Sequence, residues 1–291
     1  MARSEEQFRR VAILGTGLIG GSFGLAARRA LEGARIVGWD HKHVLREAEA
    51  CGAIHEGVPG LERALAGADL VYVALPIGVA LALVPEIARH AEPHALVTDA
   101  CSTKRALCRA AANYFVTSSA RFLGGHPMAG KELTGVARSE AELFRGAKYI
   151  LIGEAEARGD PRVARFVALV ELLGARPVWL DAETHDWAVA IISHLPQLVS
   201  VALARVVGEE TDETGLPASL AGRGLRDTLR LAGSSYEMWR DIGLTNAENI
   251  QRALDRLAQA IEHVRTRLES RELEEEFAVA NELYKTLAEF E

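Results

Sequence analysis

The sequence is short of cysteine, short of positive charge and without an apolar leader, and each shortage closes off a class of protein. Cys51, Cys101 and Cys108 are the 3 cysteines in 291 residues. Their number is odd and no two stand at a zinc-ligand spacing, so neither a disulfide framework nor a metal centre is expected. Lysine and arginine number 33 against 40 acidic residues, a net charge of −7. Nucleic acid and membrane surfaces need a basic face, so neither is expected as a partner. An anionic small molecule would need cations placed locally. The N-terminal residues hold no apolar run, which makes the cytoplasm the expected compartment. The longest stretch without formal charge, 187–204, contains Ser193, His194, Pro196, Gln197 and Ser200. It reads as a buried core helix rather than a membrane span.

What is present is a change of texture partway along. The length suggests two domains. Apolar runs at 11–14, 35–39, 70–75, 95–98, 121–123, 149–152 and 177–180 read as buried strands, and helical patterns lie between them. That alternation predicts a parallel sheet with helices on both faces. After Asp181 the strand signals stop, and 183–209, 217–232, 247–271 and 272–290 read as helices. The expected fold is therefore an α/β Rossmann-type N-terminal domain, residues 1–181, followed by an all-α C-terminal domain, residues 182–291.

The first strand runs into Gly15-Thr16-Gly17-Leu18-Ile19-Gly20. In a dinucleotide-binding turn, Gly15 permits the tight bend, Gly17 lets the backbone approach a pyrophosphate, and Gly20 lets helix and strand pack closely. The amides at Leu18 and Ile19 would open a helix whose positive end faces the phosphates. Asp40 closes the next strand, 20 residues after Gly20. A carboxylate there accepts the ribose hydroxyls of NAD and repels a 2′-phosphate, so NAD is expected over NADP, with His41 and Lys42 partly offsetting the repulsion. Leu75 and Pro76 end another strand at the same edge, and Ser102 follows the next, within reach of a nicotinamide.

Gly124-Gly125-His126-Pro127 follows the strand at 121–123. It reads as a loop that sets His126 at the ligand edge. Arg223, Arg226 and Arg230 share one helical face if their segment is a single helix. In the same order along the chain, GTGLIGGS at 15–22, the segment 99–104, GGHPMAGKE at 124–132, SHLPQ at 193–197 and RDTLRLAGSSYEMWRDI at 226–242 resemble prephenate and arogenate dehydrogenases. The resemblance implies NAD-dependent oxidative decarboxylation of prephenate, or of arogenate, on the route to tyrosine. It implies that His126 is the catalytic histidine on the ring hydroxyl, that Arg230 binds the ring carboxylate and that Ser102 touches substrate and nicotinamide. It places Glu132, Asp186 and His194 in a polar network, Trp239 in the pocket wall, and Arg226 and Asp227 near the site. It also implies a homodimer joined through the helical domain. Some relatives carry a C-terminal amino-acid-binding domain, and the helical end of this sequence leads us to expect none. The competing readings are another two-domain nicotinamide dehydrogenase acting on a hydroxy acid or imine, and a non-catalytic NAD-binding module.

Overall fold

The computed structural model describes residues 7–130, 134–153 and 155–288. Among these residues eight strands form one sheet: β1 (Arg10–Leu14), β2 (Arg35–Trp39), β3 (Glu56–Gly57), β4 (Leu70–Val73), β5 (Leu96–Asp99), β6 (Arg121–Pro127), β7 (Lys148–Ile152) and β8 (Arg176–Leu180). Their spatial order is β3-β2-β1-β4-β5-β6-β7-β8. Every neighbouring pair is parallel except β6 and β7. The chain leaves β1 toward β2 and later crosses back to β4. The carboxyl ends of β1 and β4 therefore diverge, which is where such sheets open a ligand crevice.

β1 and β4 consist almost wholly of buried apolar residues, and β5 is buried along its whole length although Thr98 and Asp99 end it, because helices cover both faces. Phe23, on the helix Leu18–Ala30, stacks on Tyr72 with ring centroids 3.7 Å apart. The Tyr72 hydroxyl, sealed in this core, is satisfied by the Tyr149 hydroxyl at 3.2 Å.

β6 departs from the sequence reading. It does not stop at Leu123 but continues to Pro127, so His126 sits on a strand, opposite Ile150 of β7. Gly124 and Gly125 look like a turn in the sequence, yet they serve close packing. A Cβ on Gly124 would meet Cys108 Sγ at 2.8 Å, and one on Gly125 would meet the Asp99 carbonyl oxygen at 2.6 Å.

Beyond β8, a continuous helical stretch runs from Ala182 to Thr214, with a π-helical turn at Ala190–His194. The expected core helix is not buried. Trp187 is 55% exposed and Ile192 64%, although the stretch is long and apolar enough to cross a membrane by length and composition. The segment expected as one helix at 217–232 is instead Leu216–Ser219, Arg223–Leu229 and a 3-10 turn at Arg230–Gly233. By compactness the chain divides after Ala247. The second unit is a helical hairpin. Within it His263 is hydrogen-bonded to Glu276, and Arg267 Nη1 lies 2.7 Å from His263 Nδ1.

Candidate active site

The glycine turn has the form its spacing predicts. Gly15 adopts φ +90°, and a Cβ there would meet the Ala74 carbonyl oxygen at 2.4 Å. A Cβ on Gly20 would lie 1.8 Å from the Gly15 carbonyl oxygen. Around Gly17 nothing lies within 4 Å of that position. Two glycines thus permit packing and the middle one faces open space, as a cradle for a phosphate requires. Gly17 caps the helix Leu18–Ala30 without a side-chain hydrogen bond, which leaves the first-turn amides for an anion. Asp40 lies at the end of β2. Its Oδ2 accepts from Thr16 N at 2.7 Å and its Oδ1 from His41 N at 2.6 Å. One carboxylate therefore braces the turn and retains acceptor capacity. Leu75 and the exposed Pro76 lie where β4 hands over to the helix Ile77–His90, and Ser102 is half-buried just past β5. These residues fit a dinucleotide.

At the adjoining edge, β6 presents His126, and a chain of hydrogen bonds runs from it into the helical half. His126 Nδ1 lies 2.9 Å from His185 Nε2, and His185 Nδ1 lies 2.8 Å from Asp186 Oδ1. Asp186 also accepts from the amides of Lys104, at 2.7 Å, and Arg105, at 2.9 Å. His185 and Asp186 are buried. An ionised Asp186 accepts, so His185 Nδ1 donates and its Nε2 is left as an acceptor. His126 Nδ1 then donates in turn, and the lone pair of its imidazole falls on Nε2. Burial, with His185, Lys104 and His194 nearby, holds the His126 pKa well below the ordinary histidine range. His185 also borders a cavity of about 320 Å³ shared with Met128, Ile150, Leu180 and Val189, a mostly apolar surround that also includes Lys148.

The network continues through Asn246, whose Nδ2 donates to the Asp186 carbonyl at 2.7 Å and lies 3.3 Å from His194 Nδ1. His194 closes the π-helical turn. Such turns are often found at functional sites. Its ring meets Trp239 edge-on at 5.7 Å, and burial pushes its pKa down to about 4. The Trp239 indole Nε1 is buried and has no hydrogen-bond partner among the described residues. Three hydrogen bonds tie the 3-10 segment beside Arg230 to this region: Gln197 Nε2 donates to the Leu231 carbonyl at 2.8 Å, Ser200 Oγ donates to that of Thr228 at 2.9 Å, and the Ala232 amide donates to Ser200 Oγ at 3.0 Å.

The structure thus links His126, Asp186, His194 and Trp239 in one set of contacts and brings the Arg230 segment to the helix that carries His194. It does not gather the arginine stripe: the helix ends at Leu229 and Arg230 starts a 3-10 turn. Arg226 and Asp227 are exposed, and Asp227 pairs with Arg223 at 3.5 Å rather than with the histidines. Glu132 lies outside the described residues. Sequence reasoning missed His185 and Asn246. The one signal for His185 was a His-Asp pair in a stretch that is otherwise mostly apolar.

Two sequence models cover nearly the whole chain. Prephenate dehydrogenase, nucleotide-binding domain, matches residues 23–179, and prephenate dehydrogenase, dimerization domain, matches 181–288. A prephenate dehydrogenase of Lactococcus lactis is 32% identical over 271 residues, 88% of this chain and 74% of its own. The structure of an Aquifex aeolicus prephenate dehydrogenase in complex with hydroxyphenyl propionate and NAD+ is similar with TM-score 0.86 at 29% identity, covering 97% of this chain and 98% of that one. A Synechocystis arogenate dehydrogenase structure is similar with TM-score 0.79 at 27% identity, covering 97% and 100%.

Proposed function

The chain belongs to the prephenate dehydrogenase family, and from that premise we propose that it oxidises prephenate to 4-hydroxyphenylpyruvate and carbon dioxide with NAD in tyrosine biosynthesis. The observation that carries the reading is the hydrogen-bonded order Asp186, His185, His126 at the same sheet edge as the glycine turn.

Bound NAD supplies the ring carbon that receives the hydride. The protein's part is to orient substrate and to take a proton. His126 Nε2 accepts the proton of the ring hydroxyl, because the relay keeps the other ring nitrogen protonated. A depressed pKa keeps His126 unprotonated at neutral pH. A substrate with two carboxylates, once bound, raises that pKa toward the working range. The imidazolium that forms is stabilised through His185 by the Asp186 carboxylate. Rearomatisation then drives loss of carbon dioxide. Ser102 touches the hydroxyl and the nicotinamide, and Arg230 grips the ring carboxylate as a planar fork. His194 and Trp239 form part of the pocket.

In this reading residues 1–181 hold the cofactor, and residues 182–291 bind substrate and join two copies in the cytoplasm. The name of the matched dimerization domain and the uncovered apolar side chains of the stretch 182–214 support a homodimer. The Synechocystis relative favours a second reading, arogenate, which differs by an ammonium in place of a keto group.

NADH formation and carbon dioxide release are to be measured with each substrate. His126→Asn should lower turnover about 10² to 10⁴-fold while NAD binding survives. Near-normal turnover would remove His126 from the mechanism.

A further inference from the structure

Asp99 and Lys104 form a fully buried ion pair that the mechanism above leaves idle. Two charges withdrawn from water are tolerated only where good pairing and additional hydrogen bonds compensate them. Here the Cys101 amide donates to Asp99 Oδ2 at 2.9 Å, and the two other bonds converge on the residue before His126. Asp99 Oδ1 accepts from Gly125 N at 3.0 Å, and Lys104 Nζ donates to the Gly125 carbonyl at 2.6 Å. The peptide on each side of Gly125 is therefore gripped by one member of the pair. The crowding of Gly125 against the Asp99 carbonyl leaves the strand no slack. The other end of the relay hangs from the same place: the Lys104 and Arg105 amides hold the two Asp186 oxygens, and Asp186 holds His185.

We propose that the Asp99–Lys104 pair is the positioning element of the base, fixing β6 and Asp186 to one buried point and so setting the distance between His126 and His185. The inference rests on His126 being the base. The pair also acts by charge. Burial, then His185, then the Lys104 ammonium, then His194 oppose protonation of His126. The nearest carboxylates are engaged: Asp99 by Lys104, and Asp186 by two amides and His185. The ring is thereby held ready to accept a proton and not already carrying one.

Lys104→Met alone would strand the Asp99 charge. The test therefore pairs it with Asp99→Asn/Lys104→Met, which removes both charges and leaves a side-chain amide oxygen at position 99 to accept from the Gly125 amide. In the double variant kcat should fall about 10²-fold, the scale for a displacement near 1 Å at a reacting group, with KM for prephenate and NAD little changed. The acid limb of the kcat/KM profile should move to higher pH, because Lys104 is among the groups that oppose protonation of His126 and Asp99 is not among those that act on it. A purely structural part would lower the whole profile and leave the limb in place. An unchanged kcat, or an unmoved limb, overturns the proposal. Should neither variant fold, nitrogen NMR of the unmodified protein decides. His126 should titrate well below the ordinary histidine range and carry its proton on Nδ1. Ordinary titration or a proton on Nε2 overturns it. If His126→Asn is fully active, the base itself is wrong. If His126→Asn is inactive and the double variant is normal, only this inference is lost.

Discussion

The glycine turn at 15–20 and the histidine relay at 126, 185 and 186 sit at one sheet edge but are built in opposite ways. The turn is backbone. Its parts are a positive φ, two absent Cβ atoms and a row of uncapped amides, all within six consecutive residues. A substitution there acts through volume. The relay is side chain. His126 and His185 are 59 residues apart in sequence and meet only because a strand and a helix pack together. A substitution there acts through hydrogen-bond direction and charge. Binding of a dinucleotide can be assembled locally, whereas the proposed proton relay waits for the whole fold.

The contrast is tested hardest at His185. His185→Gln keeps polarity but breaks the alternation that places the lone pair of His126 on Nε2. Turnover should fall about 10²-fold, with NAD affinity and melting temperature nearly unchanged. Normal turnover would show that His126 finds its tautomer without help. The relay region should also respond to acid where the turn does not. His194 has a folded pKa of about 4 against an unfolded value near 6.5. Between those values the unfolded chain binds a proton that the folded chain refuses. Stability is therefore intact above about pH 6.5 and declines as pH falls toward 4, by about 3 kcal/mol from this group. Denaturant titrations at pH 7 and pH 4.5 measure the loss. His194→Gln should lessen it and leave the share that comes from His126, whose depressed pKa acts in the same direction; an equally steep decline in that variant would assign the loss elsewhere.

The same division explains what the sequence disclosed. Strands came from apolar runs, because a sheet covered on both faces selects for them. β3 escaped because two residues make no pattern. The end of β6 escaped because Gly124 and Gly125 resemble a break, and only the facing Cys108 and Asp99 reveal that they exist to be crowded. Gly15, Gly17, Gly20 and Asp40 were legible from spacing alone. His126 was read as a candidate from an expected place after a strand, although β6 carries it, and the family resemblance supplied its proposed role. His185 was not, since a histidine inside a helix has no local mark that separates a relay from a satisfied core group. The exposed apolar side chains of the stretch 182–214 misled in the other direction: apolar composition predicted a core, and the single chain leaves much of it uncovered.

A smaller effect belongs to the turn. Gly17→Ala meets no atom within 4 Å, so folding should be normal. The added methyl should stand where a pyrophosphate comes closest, weakening NAD about tenfold, or about 1.4 kcal/mol. Gly20→Ala puts its Cβ 1.8 Å from the Gly15 carbonyl oxygen and should cost stability first. Calorimetry of NAD binding beside thermal melts separates the two. Equal melting losses in both variants would mean that the open space at Gly17 is not reserved for ligand.

The smallest effect lies where the two kinds of construction touch. Asp241, on the helix Tyr236–Thr245, accepts from the Gly78 amide at 2.9 Å in the first turn of the helix Ile77–His90, which starts at the cofactor edge. A side chain from the relay's half thus caps a backbone terminus of the turn's half. That amide, with Arg240 beside it, holds the Asp241 carboxyl below its usual range. The stabilisation is present above the ordinary aspartate pKa and is lost as pH falls through the depressed one. Asp241→Asn keeps an acceptor and loses the charge facing a helix N-terminus, worth about 0.5 kcal/mol and about 1–2 °C of melting temperature in a chain of this size. If the cap is only a fastening, kcat and both KM values stay as they were. If KM for NAD and for prephenate rise together while stability barely moves, the joint governs how the relay is brought over the turn, and the two regions are not independent.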